Sequence, residues 1–156
     1  MVSINFESPD QPDVISLIAE LDAYQSALYP PESHHALDLT SVAAAQMFLV
    51  VARDAAGLAI ACGAVVLPPE YGDGYGELKR MYVRPAHRGL HIATEILTVL
   101  EFAAKKSGCT LLKLETGPKQ PEAIRFYASC GYRQCGPFGA YGNDPLSIFM
   151  QRNIAA

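Results

Sequence analysis

The stretch from Glu77 to Thr116 constrains the chain more than any other part of it. Glu77-Leu78-Lys79-Arg80-Met81-Tyr82-Val83 alternates like a strand and stops at Arg84-Pro85. A turn containing Arg88-Gly89 follows. Ile92, Ile96, Val99, Leu100 and Ala103 then recur at helical spacing, and Lys105, Lys106 and Gly108 supply the basic residues and the glycine that suit a helix C-terminus. Cys109 to Glu115 is a short β run. Strand, glycine-containing turn, helix and strand in this order make a βαβ unit, with a right-handed crossover between parallel strands.

Around this unit the pattern predicts an α/β domain. Residues 10–28 place Val14, Leu17, Ile18, Leu21 and Leu28 on one helical face, with Asp10 as the expected cap and Pro12 in the first turn. Tyr29-Pro30-Pro31 ends that helix, because consecutive prolines remove amide donors. Met47 to Ala52 and Leu58 to Leu67 read as antiparallel strands joined through Arg53 to Gly57. A loop from Pro68 to Gly76 carries a Gly72-Asp73-Gly74 turn signal. Pro121 to Cys130 reads as a second short helix closed by Gly131, and Leu146 to Gln151 as a last strand after a loop rich in glycine and proline. With 156 residues and neither repeat nor linker, one domain spanning 1–156 is expected.

Composition narrows the function classes. Half the residues are hydrophobic and 18% are charged, enough apolar material for a packed core. Twelve Lys and Arg against sixteen Asp and Glu leave a net charge of -4, which argues against binding nucleic acid or an anionic membrane. The longest apolar runs fall far short of the ~18 residues a spanning helix needs, and MVSINFESPD lacks a basic stretch followed by an apolar one, so a cytoplasmic protein is expected. The four cysteines show no CxxC spacing and read as reduced thiols. His34 and His35 are adjacent but no Cys or carboxylate at recognisable spacing completes a metal set, so no metal is expected.

The turn after Val83 is the first candidate site. Amides at a helix N-terminus lack intrahelical partners and carry the positive end of its dipole, Gly89 permits close approach, and Arg88 adds charge. A pyrophosphate cradle fits this turn, and so does an ordinary strand-to-helix turn with a solvated arginine. A dinucleotide-binding unit would instead show GxGxxG, which is absent here, although Glu115 stands near the end of the second strand.

Arg88-Gly89-Leu90-His91-Ile92-Ala93 resembles the coenzyme A loop of the GNAT superfamily of N-acetyltransferases, with His91 where that loop often has its second glycine. The strand Glu77 to Val83, the long helix, the strand Leu111 to Thr116 and the later Ala123-Ile124-Arg125-Phe126-Tyr127-Ala128-Ser129-Cys130-Gly131-Tyr132 resemble the same superfamily in order and spacing over roughly residues 46 to 152. Tyr29-Pro30-Pro31-Glu32-Ser33, Leu114-Glu115-Thr116-Gly117, Gln120-Pro121-Glu122-Ala123 and Gly136-Pro137-Phe138-Gly139 are similar to a bacterial subgroup of small, mostly uncharacterised acetyltransferases.

The resemblance implies a mixed, mainly antiparallel sheet whose central parallel pair splays to admit acetyl coenzyme A. It implies that main chain at Met81, Tyr82 and Val83 meets the pantetheine arm, that residues 88–93 cradle the pyrophosphate, and that Gln120 stands near the pantetheine. It makes Tyr127 the acid for the departing thiolate, Glu77 the first candidate for the base and Glu115 the second. Packing beside Phe126 is the alternative for Tyr127, and pairing with Lys79 or Arg80 the alternative for Glu77. Tyr29, Glu32, His34, Tyr141 and Asp144 fall on the two loops expected to face the acceptor, a small amine or amino acid. Direct transfer in a ternary complex is implied, since the motifs place no Cys at the thioester. A non-catalytic acyl coenzyme A sensor of the same fold is the alternative from another class. Exposed sheet edges make a homodimer an expectation.

Overall fold

In a computed structural model, which describes residues 1–33, 37–67 and 74–155, one sheet carries the whole architecture. Its elements are β1 (Ser3–Phe6), α1 (Pro12–Leu28), β2 (Met47–Arg53), β3 (Ala59–Val66), β4 (Tyr75–Val83), α2 (Ile92–Lys106), β5 (Leu111–Thr116), α3 (Pro121–Ser129), β6 (Arg133–Cys135) and β7 (Ile148–Asn153). Among the described residues the seven strands run in the order β1-β2-β3-β4-β5-β7-β6. Only β4 and β5 pair in parallel. This is the mixed, mainly antiparallel sheet with a central parallel pair that the resemblance implies. His34 and most of the loop from Pro68 onward lie outside the described residues.

The strand period of two divides the apolar residues between two cores. Val50, Ala52, Ile60 and Val65 pack with Ile96, Leu97 and Leu100 of α2 and with Leu112 and Leu114 of β5. Leu49, Val51, Cys62 and Ala64 pack on the opposite face with Val14 and Leu17 of α1. All eight residues of β3 are buried, because this strand is covered on both faces. Each fully buried Leu, Ile or Val contributes about 1.5–3 kcal/mol, so these two layers hold α1 and α2 against the sheet.

Several boundaries differ from the sequence expectation. Asp10 does not cap α1: the residue before a proline is driven to extended geometry, so Gln11 (φ −138°, ψ 135°) is the flanking residue and Asp10 falls outside it. The Gln11 side-chain Nε2 donates instead to Glu7 Oε1 (3.0 Å) and to the Ser8 carbonyl (2.8 Å). Strands β1 and β6 form at the two sheet edges without a sequence expectation, being four and three residues long and largely exposed, with no periodic run to reveal them. Strand β7 begins at Ile148 rather than Leu146, whose amide is taken by Asp144 Oδ1 at 2.8 Å.

Two features open the sheet at its centre. Strands β4 and β5 pair only at Tyr75–Leu111, Gly76–Leu112 and Glu77–Lys113, after which β4 continues with β3 and β5 with β7. The register against β3 shifts between Cys62–Tyr82 and Ala64–Lys79, which leaves one extra residue on β4. Arg80 takes up that residue with φ +55°. Such a bulge bends its strand and increases local twist, turning the end of β4 away from β5.

Candidate active site

Where β4 and β5 part, a cleft of about 190 Å³ opens between the strands. Glu77, Lys79 and Met81 line it from β4, Glu115 and Thr116 from β5, and Tyr127 from α3. Asp22 and Gln25 of α1 face it from the other side, with Tyr141 and Leu146 contributed by the loop between β6 and β7. In β5, Leu112, Leu114 and Thr116 are buried while Lys113 and Glu115 are half-buried, as strand alternation requires. The splay and this alternation together bring Glu115 to the cleft.

Glu77 is 6% exposed and already engaged. Its Oε2 accepts a short hydrogen bond from the Tyr141 hydroxyl and lies 3.1 Å from Lys79 Nζ. Lys79 Nζ in turn donates to the Tyr141 oxygen at 3.0 Å. Tyr141 is seated by edge-on contacts with Phe138 and Phe149. The pairing with Lys79 weighed from sequence is thus present, but in a buried setting rather than a solvated one.

Glu115 differs. Burial disfavours its ionised form and pushes its carboxyl up to about 7; the Ser147 hydroxyl and the charge of Lys79 oppose this, while the charges of Glu77 and Asp144 add to it. A carboxyl near 7 is half-ionised at neutral pH and can accept a proton there.

Tyr127 lies near the end of α3, 8% exposed and packed edge-on against Phe126 and Tyr132. Burial raises its phenol above the ordinary tyrosine range, so it remains a protonated donor. The packing and the cleft-lining readings therefore hold together. Gln120 is the residue flanking the start of α3 and lines the same wall.

The turn after β4 is built as an open cradle. Arg88 Nε donates to the Val83 carbonyl at 3.0 Å, folding the loop back on the strand end, and its guanidinium lies 6.0 Å from the centre of the Tyr82 ring. Gly89 has φ +82°, and a Cβ there would meet nothing within 4 Å. His91 has φ +62° and immediately precedes α2. This left-handed conformation explains why glycine suits the position; the histidine accepts the strain and is exposed to solvent. Leu90 is exposed, Ile92 is buried in the core, and Ala93 is half-buried in the first turn of α2. The first-turn amides of that helix have no partner four residues back.

The expected acceptor residues divide. Tyr29 and Tyr141 line the cleft, whereas Glu32 is exposed and the neighbouring Ser33 lines it instead. Ser33 Oγ donates to Asp144 Oδ2 at 2.7 Å, joining the two acceptor-side loops. Sequence reasoning missed Ser33; a small hydroxyl following the Tyr-Pro-Pro break gives no periodic signal.

The chain matches the Acetyltransferase (GNAT) family over residues 15–132. It is a member of the GNAT acetyltransferase family. This GNAT protein is 45% identical over 153 residues to a protein of Azospirillum brasilense named IAA acetyltransferase, with 98% of each chain covered. It is 34% identical over 143 residues to an uncharacterized N-acetyltransferase of Bacillus subtilis, covering 90% of this chain and 92% of that one. A Klebsiella pneumoniae crystal structure named for an acyl-CoA N-acyltransferase superposes with TM-score 0.87 at 37% identity, covering 99% and 98% of the two chains. Among the described residues no helix is long and apolar enough to cross a membrane.

Proposed function

We propose that the protein moves an acetyl group from acetyl coenzyme A directly to the amine of a small molecule or amino acid, both substrates being bound at once, with Glu115 as base and Tyr127 as acid. The observation that carries this reading is Glu115: a cleft-lining carboxyl held at about 7 by burial, across the parted strands from β4 and in a cleft shared with the Tyr127 phenol. Acceptance of a proton from an ammonium at neutral pH needs such a group, since an ordinary carboxylate is too weak a base.

The residues present fit the coenzyme. Open space above Gly89, the exposed His91 and the unpaired first-turn amides of α2 suit a pyrophosphate. The peptide groups of Met81, Tyr82 and Val83 lie beyond the last β4–β5 pair, which leaves β4 backbone facing the gap to meet a pantetheine chain, with Gln120 on the opposite wall. Bound there, the coenzyme supplies the activated acyl group. Glu115 takes the proton of the incoming ammonium onto its carboxylate, and a β4 amide turned into the gap stabilises negative charge on the acyl oxygen. As the C–N bond forms and the C–S bond breaks, Tyr127 would give its hydroxyl proton to the departing sulfur; the second proton shed by the nitrogen would pass through water to restore the Tyr127 hydroxyl, and Glu115 would release the first to solvent.

Glu77, Glu115, Asp22 and Asp144 outnumber Lys79 and Arg80 around the acceptor side, which favours a cationic amine over an anionic acceptor. Tyr141 and Ser33 front that acceptor, Tyr29 shapes its wall, Asp144 holds the Ser33 hydroxyl in place, and Glu32 stands exposed beside Ser33 on the outer loop. Calorimetric titration with acetyl coenzyme A tests the cofactor assignment, with NAD and ATP as controls. Binding of acetyl coenzyme A alone, weakened about tenfold in Arg88→Ala, is expected. Absence of binding, or equal binding of NAD, would remove the case for transfer.

A further inference from the structure

The parallel register pairs Glu77 with Lys113 before the strands part. Two residues further along each strand, where the pairing has ended, Lys79 and Glu115 line the cleft from its two sides, and the bulge at Arg80 comes only after this point. Lys79 is therefore caught between two carboxylates, Glu77 beside it on its own strand and Glu115 across the gap. We propose that Lys79 is a positioning residue for Glu115, its charge held partly screened by Glu77 and Tyr141 so that Glu115 faces a compensated pair.

This rests on the reading of Glu115 as the base and assigns a residue to setting its charge state. Lys79 is 12% exposed and Glu77 7% exposed at their side chains, so water screens their charges poorly. Three contacts fix Lys79: Glu77 Oε2 at 3.1 Å, the Tyr141 oxygen at 3.0 Å, and the Tyr141 ring with its centre 5.6 Å away. The other charged neighbour acting on Glu115 is Asp144 from the loop between β6 and β7, and Glu115 in turn acts on Tyr29 at the end of α1. Arg80 and Asp22, 3.1 Å apart, form a separate pair further along the cleft. A bare Lys79 would hold Glu115 ionised and bound, too weak a base to take a proton. Without Lys79, Glu115 would share the cleft with two uncompensated carboxylates and stay protonated at neutral pH.

The two members of the pair thus act on Glu115 with opposite signs, a pattern that a merely structural role does not produce. The test is a carbon-13 NMR titration of carboxyl-labelled glutamates in the whole protein without coenzyme, the Glu115 signal being identified by its loss in Glu115→Gln. Lys79→Met is expected to raise the Glu115 midpoint by about one pH unit, Glu77→Gln to lower it by about one, and the double variant to return it near the wild-type value. Glu77→Gln preserves shape and can still accept from Tyr141, so it decides the matter alone if Lys79→Met does not fold. A midpoint that rises or stays fixed in Glu77→Gln overturns the proposal. If Glu115→Gln keeps full turnover, the base assignment falls instead, while the NMR shifts still decide the role of Lys79.

Discussion

The Tyr29 hydroxyl occupies the space over the Gly117 backbone: a Cβ built on Gly117 would lie 2.0 Å from that oxygen. The same oxygen accepts a hydrogen bond from the Lys119 amide at 3.1 Å, and Lys119 Nζ donates to the Leu28 carbonyl at 2.9 Å. The end of α1 is thereby joined to the turn between β5 and α3, which ties the acceptor wall to the wall carrying Gln120 and Tyr127. Tyr29 shapes the cleft through this joint.

Gly117→Ala must displace the Tyr29 ring, since backbone lies on the other side of the contact. Overpacking of this kind costs about 1–3 kcal/mol, read by denaturant unfolding. The acceptor KM is expected to rise several-fold while acetyl coenzyme A affinity changes little, because the cradle at Gly89 belongs to a different turn. Unchanged stability and an unchanged acceptor KM would contradict the joint.

Gly63 faces the bulge in the same way. A Cβ there would stand 2.3 Å from Met81 Sδ and 3.0 Å from Ile96 Cγ2, so Gly63→Ala pushes Met81 toward the cleft it lines. The variant is expected to lose about 1–3 kcal/mol and to bind acetyl coenzyme A less tightly, checked by unfolding and calorimetry together.

Much of the central architecture was legible because its signals are strong ones. The βαβ unit showed in the strand-to-helix change of period between Val83 and Ile92, and α2 in the spacing of Ile92, Ile96 and Leu100, all of them buried. The three-residue β6 and four-residue β1 were not legible, since edge strands with exposed side chains need no alternation. The cleft was legible as a pair of strands but not as a set of partners. That Glu77 is taken up by Tyr141 depends on a loop 64 residues away, and no local pattern records such a contact. The buried state of Glu115 depends likewise on where the strands part, which the bulge at Arg80 helps to set.

Tyr127→Phe keeps the ring packed against Phe126 and Tyr132 and removes only the hydroxyl. Turnover is expected to fall about 100-fold, with acetyl coenzyme A affinity within about twofold of wild type. Equal turnover in stopped-flow measurements would return Tyr127 to a packing role.

Glu115 links activity to stability. Its carboxyl titrates near 7 in the folded protein against an ordinary value of 4.5, so the folded state binds more protons between these values and stability falls as pH rises through that window. Glu115→Gln removes the penalty. It is expected to be more stable than wild type at pH 8 by roughly 3 kcal/mol, with the difference fading toward pH 4, as followed by thermal or denaturant unfolding across pH. In wild type, kcat/KM falls as pH drops below about 7, where Glu115 becomes protonated.

Thiol release from acetyl coenzyme A across a panel of small amines, amino acids and anionic acceptors, with wild type and Glu115→Gln side by side at pH 7.5, tests transfer at this cleft most directly. Amine-dependent release by wild type, reduced about 100-fold or more in the variant, is the predicted result. Release that is independent of any amine, strongest with anionic acceptors, or unchanged in Glu115→Gln would contradict it.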